Sequence, residues 1–134
     1  MFGKSFSREQ DNAINAALNY GYAILLSAVN REILSLGYIT QLGLNHCNQF
    51  NPYNLGSDLM EPLRGFVDAV VIKLRPTEFD RNVKLALIEL LSEDVKINDT
   101  VQTFSAAIRI YCKSVFDALC TQNANQIRFI EYEL

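Results

Sequence analysis

Residues 11–36, DNAINAALNYGYAILLSAVNREILSL, decide how this chain folds. Their apolar side chains recur at helical spacing, which predicts one long amphipathic helix. Gly37 follows directly, and glycine is a common residue at the end of a helix. A helix of about 25 residues is long for a soluble protein and is expected to lie at the centre of the fold. The recurring positions are Ile14, Ala17, Leu18, Gly21, Leu25, Ala28, Val29, Ile33 and Leu36.

Shorter stretches with the same helical spacing follow this first segment. They predict helices at about residues 38–44, 55–74 and 79–92 and from Thr100 onward. Residues 45–54, 75–78 and 93–99 are predicted to form loops or turns, and the tail 126–134 alternates loosely enough to be extended. Residues 1–134 are therefore expected to form a single all-α domain of about five helices with an extended C-terminal tail.

The composition is that of an ordinary soluble globular domain. Of the 134 residues, 49% are hydrophobic and 20% are charged, and the net charge is −3. A protein that binds nucleic acid through bulk electrostatics normally has a basic face, so any DNA contact is expected to be local. The longest apolar stretch, residues 22–29, is too short to cross a bilayer, and no membrane partner is expected. Three cysteines without a CxxC spacing predict no zinc site and suggest a reducing cytoplasm.

The single histidine, His46, and the acids Asp58 and Glu61 form the most informative polar set. Asp58 and Glu61 share one face if they lie on a helix, because side chains three residues apart are neighbours. One imidazole and two carboxylates would suit manganese, and the oxygens alone would also suit magnesium. Arg64 and Asp68 extend the charged face, and on a helix otherwise built for burial such charges need partners. The competing interpretation is a capping box, with Asp58 as N-cap and Glu61 as its partner, beside a hydrogen-bonding loop histidine.

Three further polar residues favour structural roles. Glu32 lies beside Arg31 in the first helix and is expected to be a surface acid. Tyr20 and Tyr22 have rings that can stack on a base, but tyrosines at helical spacing are more often packed in a core with satisfied hydroxyl groups.

Four stretches, read in order along the chain, resemble a known family. They are residues 11–26 (DNAINAALNYGYAILL), 43–46 (GLNH), 48–55 (NQFNPYNL) and 58–64 (DLMEPLR). Together they closely resemble the CRISPR adaptation integrases, the Cas-one family, and most of all the branch that accompanies type II-A systems. The resemblance covers nearly the whole chain and is most specific over residues 8–68.

This resemblance implies a metal-dependent DNA endonuclease and integrase that inserts captured DNA into CRISPR arrays as new spacers. The family holds manganese or magnesium with a glutamate, a histidine and a second carboxylate. The last two correspond to His46 and Glu61, the implied catalytic residues, and Asp58 matches a supporting acid. The implied partners are protospacer and CRISPR-repeat DNA and the Cas-two protein, and the full-length members of the family form homodimers. The residues expected to contact DNA are Arg64, Gln49 and Asn48.

The family's first metal glutamate and its β-rich dimerisation domain lie upstream of a Phe-Gly pair like Phe2 and Gly3. Nothing in this sequence corresponds to them, so the chain is expected to be the C-terminal helical, metal-bearing portion of the integrase. Alone it is expected to be weakly active or inactive. The alternative is a non-catalytic helical fragment that binds DNA or a partner protein.

Overall fold

A computed structural model describes residues 8–43 and 52–131, with side chains over residues 8–36 and 55–131. The first helix, α1 (Arg8–Gly43), is 36 residues long and joins the predicted central helix to the predicted helix at 38–44. The predicted stop at Gly37 is therefore wrong. A glycine inside a helix costs only about 1 kcal/mol relative to alanine, and it ends a helix when it adopts a positive φ. No glycine in the described part of the chain does so.

The next helical segment is divided at Pro62. α2 (Pro52–Met60) leads into a 3₁₀ turn at Glu61–Leu63, and α3 (Arg64–Leu74) follows directly. Proline lacks an amide donor and crowds the preceding turn, which explains why regular α-helical bonding is interrupted here. Because α2 begins at Pro52, the predicted loop 45–54 is wrong at its end. The rest of that prediction, up to residue 51, lies outside the described residues.

A β-hairpin occupies residues 94–103, where a turn and the start of a helix were predicted. β1 (Asp94–Ile97) pairs antiparallel with β2 (Thr100–Thr103), and between them Asn98 and Asp99 have φ values of 57° and 61°. A two-residue hairpin turn of type I′ requires positive φ at both positions, and Asn and Asp tolerate this conformation. The predicted helical fold class is confirmed, and the hairpin is an addition that the prediction did not include. The fold is mostly helical but includes a small sheet.

Two helices and a short third strand make up the rest of the fold. α4 (Arg81–Glu89) lies within the helix predicted at 79–92. α5 (Phe104–Thr121) replaces the helix predicted from Thr100, because residues 100–103 belong to β2. β3 (Ile130–Glu131) pairs with the other side of β1, which gives the strand order β2-β1-β3. These two residues confirm part of the predicted extended tail.

α1 is the central helix of the described fold, as predicted, and packs against α2, α3, α4 and α5. One close approach is at Gly21, where an added Cβ would overlap Cγ1 of Val67 in α3. The rings of Phe66 and Phe104 join α3 to α5, with their centroids 4.6 Å apart. No helix in the described ranges is both long enough and apolar enough to span a membrane. The buried positions predicted on α1 and confirmed are Ile14, Ala17, Leu25, Ala28, Val29 and Ile33.

Candidate functional site

Asp58 and Glu61 lie at the junction between α2 and α3. Asp58 is an exposed residue inside α2, and Glu61 opens the 3₁₀ turn. The capping-box interpretation is therefore wrong, because an N-cap residue stands at the start of its helix and not within it. The neighbouring side chains of Leu59, Met60 and Leu63 are buried in the core. These buried side chains anchor the junction to the core, while its two carboxylates face solvent.

A hydrogen bond from α5 adds a second anchor to this junction. The hydroxyl group of Tyr111 donates to the carbonyl oxygen of Leu59 at 3.0 Å. Burial raises the pKa of Tyr111 to about 12, so the hydroxyl remains a protonated donor at neutral pH. In the sequence, Tyr111 stands at one of the apolar positions that recur at helical spacing from Thr100 onward. The identity of its acceptor depends on a contact between residues 52 positions apart.

Arg64, the first residue of α3, forms an ion pair with Glu61. Its Nε lies 3.1 Å from Oε1 of Glu61, and the two side chains are 42% and 60% exposed. This Nε is itself shielded from solvent and forms no hydrogen bond, so the contact is electrostatic and not directed along the N–H bond. An ion pair this exposed contributes little to stability. It places a positive charge beside the Glu61 carboxylate.

Tyr22 of α1 contacts Arg64 and Asp68, the two further charged residues of α3 that were singled out in the sequence. The Cζ atom of Arg64 lies 4.9 Å from the centre of the Tyr22 ring, within the range of a cation–π contact. The hydroxyl group of Tyr22 donates a hydrogen bond to Oδ1 of Asp68. Burial, together with this hydrogen bond, raises the pKa of Tyr22 to about 12. Arg64 and Asp68 therefore both have a partner, as expected for charges on a largely buried helix.

The remaining predicted site residues, His46, Asn48 and Gln49, lie outside the described residues. Within the described ranges, no group of three or more His, Cys, Asp and Glu side chains could hold a metal ion. Asp58 and Glu61 supply exposed oxygen donors, which are the kind of ligand that manganese and magnesium accept. The pair fits such a metal in chemical type, and a complete site requires a further ligand.

Two other polar candidates have structural surroundings. The ring of Tyr20 packs edge-on against Phe79, with 5.5 Å between the centroids, which supports the packed role. The prediction that Glu32 is a surface acid is wrong, because its side chain is only 13% exposed and pairs with Arg109 of α5 at 3.6 Å. The adjacent charges of Arg31 and Glu32 suggested a solvated face. The burial comes from α5, which no local pattern reveals.

Comparison with known proteins shows similarity to one family along the chain. A family model described as CRISPR associated protein Cas1 matches residues 2–83, more than half of the chain. A CRISPR-associated endonuclease Cas1 from Neisseria meningitidis serogroup C (strain 8013) is 37% identical over 136 residues, which cover 98% of this chain and 45% of that relative. CRISPR-associated endonuclease Cas1 2 from Pyrobaculum aerophilum is 33% identical over 120 residues, which cover 85% of this chain and 40% of that relative. The chain thus spans less than half the length of both relatives.

The matched region includes all of α1 and the whole α2–α3 segment. It therefore contains Asp58 and the connected residues Tyr22, Glu61, Arg64 and Asp68. By this match and by its mostly helical fold, the chain belongs to the Cas1 family of CRISPR-associated proteins, the Cas-one family that its motifs resemble.

Proposed function

We propose that this chain is the helical, metal-bearing part of a CRISPR-associated DNA endonuclease and integrase that inserts new spacers into CRISPR arrays. The observation that supports this most is similarity to a Cas1 endonuclease over 98% of the chain. The position of Glu61 also supports it, since its exposed carboxylate stands on an anchored junction. The chain spans 45% of that relative's length, so the activity of the whole relative is carried over only as part of this proposal.

The proposed metal ligands and catalytic residues are His46 and Glu61, with Asp58 as a supporting acid. A bound manganese or magnesium ion would neutralise the scissile phosphate and orient an attacking 3′-hydroxyl group. Glu61 would hold the ion through a carboxylate that is already accessible from solvent. Arg64 would contact a DNA phosphate through the exposed part of its guanidinium group, since only its Nε is shielded. Asn48 and Gln49 are proposed as additional DNA contacts.

The proposed partners are protospacer and CRISPR-repeat DNA and the Cas-two protein, with homodimerisation proposed for the full-length protein. The net charge of −3 favours a local DNA contact near Arg64 over a broad electrostatic one. The activity of the chain alone is proposed to be weak or absent, and its place of action is the bacterial cytoplasm.

A titration with manganese tests the metal site. Because His46 is the single histidine, its ring signals in a nuclear magnetic resonance spectrum are unambiguous. They are expected to broaden when paramagnetic manganese is added and to shift with magnesium. Glu61→Gln should weaken this response, whereas Glu78→Gln, which removes one exposed acid elsewhere, should leave it unchanged. No response up to millimolar metal would contradict the proposal.

The second candidate function is that of a non-catalytic helical module that binds DNA or a partner protein. It is favoured by the exposed part of the Arg64 guanidinium group, which could contact a DNA phosphate without a metal ion. DNA binding that persists in the presence of a chelator, and that Glu61→Gln leaves unchanged, would support this candidate over the first.

A further inference from the structure

We propose that Tyr22 is a positioning residue for Glu61 and acts through Arg64. This inference rests on the proposed role of Glu61 as a metal ligand. Tyr22 itself touches neither the proposed metal nor DNA in this scheme. Its function is to hold the guanidinium group that orients the Glu61 carboxylate.

The contacts that support this inference connect two helices. On the α3 side, Arg64 Nε lies 3.1 Å from Glu61 Oε1. On the α1 side, the Tyr22 ring lies under the same guanidinium group, 4.9 Å from Cζ. The hydroxyl group of Tyr22 is in turn bonded to Asp68, one turn beyond Arg64 on α3. Asp68, Tyr22, Arg64 and Glu61 therefore form an unbroken series of contacts.

Glu61 needs such support because its side chain is 60% exposed. An exposed glutamate populates several rotamers, and binding an ion in one of them costs conformational entropy. An exposed ion pair between two freely moving side chains does little to reduce that cost. Arg64 differs from a free surface arginine, because it lies on an aromatic ring and its Nε is shielded from solvent. It can therefore hold Oε1 in place and leave the other carboxylate oxygen for a ligand.

The hydrogen bond to Asp68 holds the hydroxyl end of the ring that supports Arg64. The hydroxyl group must stay protonated to donate this bond. The pKa of Tyr22 is raised to about 12, first by burial and then by Asp68 itself, so the donor is intact throughout the neutral range. Partners that contact a metal ligand directly typically change metal affinity by roughly 10- to 100-fold when they are removed, and Tyr22, one contact further away, is expected to lie at the lower end of that range.

Two substitutions at Tyr22 test the inference without changing the charge of the site. Tyr22→Leu removes both the ring and the hydroxyl group, and Tyr22→Phe removes only the hydroxyl group. The affinity of the full chain for manganese alone, measured by isothermal titration, is expected to fall roughly 10-fold for Tyr22→Leu. A smaller fall is expected for Tyr22→Phe, which keeps the ring beneath Arg64. In a Glu61→Gln background the effect of Tyr22→Leu should disappear, because the two residues act on the same ligand.

Phe79→Leu is the matched control. Phe79 also lies beneath a cation, with Lys84 Nζ 5.1 Å from its ring centre, but the described contacts of this pair do not include Glu61 or Arg64. It should lower the free energy of unfolding without weakening manganese binding. Equal weakening by Phe79→Leu and Tyr22→Leu would overturn the inference, because it would indicate general loosening of the fold.

A measurement on the metal-free chain separates this inference from the proposed function. The Nε–H signal of Arg64 in a nuclear magnetic resonance spectrum should be shifted from that of a free arginine, and Tyr22→Leu should return it to that position. An Arg64 signal that Tyr22→Leu does not move would overturn the inference, as would manganese affinity that Tyr22→Leu leaves unchanged. Failure of the unaltered chain to bind manganese would instead overturn the proposed function, and the positioning role with it.

Discussion

At the scale of single residues, two tyrosines connect α2 and α3 to the rest of the fold. Tyr22 donates from α1 to Asp68, and Tyr111 donates from α5 to the carbonyl oxygen of Leu59. In both cases burial raises the pKa to about 12. Each hydroxyl group must be neutral to donate, so these two contacts share a dependence on pH.

The free energy of unfolding is expected to fall as pH rises from 10 toward 12. In this range the folded chain keeps protons on Tyr22 and Tyr111 that the unfolded chain, with a tyrosine pKa near 10, has lost. Stability therefore decreases with pH there, and the full contribution is present below pH 10. Urea denaturation at a series of pH values measures this. The double variant Tyr22→Phe/Tyr111→Phe should be less stable than the unaltered chain at about pH 8, below this range. Its free energy of unfolding should also fall less steeply between pH 10 and 12. An unchanged slope of this free energy against pH would contradict the assignment.

At the scale of secondary-structure elements, side-chain caps determine where α4 and α5 begin. Asp80 Oδ1 accepts a hydrogen bond from the Val83 amide at 3.1 Å. Thr103 Oγ1 accepts one from the Ala106 amide at 3.2 Å. Such bonds satisfy amide groups that have no partner within the first turn of a helix. Thr103 is also the last residue of β2, so one side chain ends the strand and starts the helix.

Thr103→Ala is expected to lower the free energy of unfolding by about 1 kcal/mol, the usual effect of removing a threonine N-cap. Thr103→Ser keeps the hydroxyl acceptor and should recover most of that loss. Chemical denaturation of the two variants provides the measurement. Equal destabilisation by alanine and serine would show that the β-branched side chain of Thr103 matters more than its cap.

The elements also show which features a sequence can predict. The buried stripe of α1 follows from periodicity alone, because a helix must direct its apolar face to the core. Gly37 misled the prediction, since the sequence does not show whether a glycine takes a positive φ. The hairpin was missed because its turn, Asn98 and Asp99, lacks the glycine that usually marks a type I′ turn.

In the candidate site, too, some features could be predicted from the sequence and others could not. The functional pairing of Asp58 and Glu61 was suggested by their spacing, and it stays a prediction for two residues that are exposed at the α2–α3 junction. Tyr22 could not be recognised as part of this face, because its contact with Asp68 joins residues 46 positions apart. The burial of Glu32 was missed for the same reason. Contacts between distant helices carry no local periodic signal.

At the scale of the whole molecule, the contacts of Tyr22 with α3 depend on how closely α1 approaches that helix. Gly21 allows this approach, because a Cβ at that position would overlap Val67 and lie 3.3 Å from Cδ2 of Leu87. α1, α3 and α4 therefore meet at a single residue without a side chain. Tyr22, the next residue along α1, reaches Arg64 and Asp68 only while this close packing is maintained.

Gly21→Ala is expected to destabilise the fold by about 1–3 kcal/mol, the usual effect of overpacking a well-packed core. The double variant Gly21→Ala/Val67→Ala should lose less stability than the two single variants lose in total, because the smaller side chain at 67 makes room for the new methyl group. Ser27→Ala, an exposed change on α1, should stay within about 0.5 kcal/mol of the unaltered chain. Additive single changes would contradict the proposed clash.

The length of α1 gives the Gly21 contact a geometric consequence. At about 1.5 Å per residue, Gly43 at the end of α1 lies roughly 33 Å from Gly21 along the helix axis. A tilt of α1 by about 2° at that contact would displace its C-terminal end by about 1 Å, a distance large enough to impair an active site. The packing at Gly21, together with the buried residues beyond it on α1, therefore limits how far the C-terminal end of that helix can move.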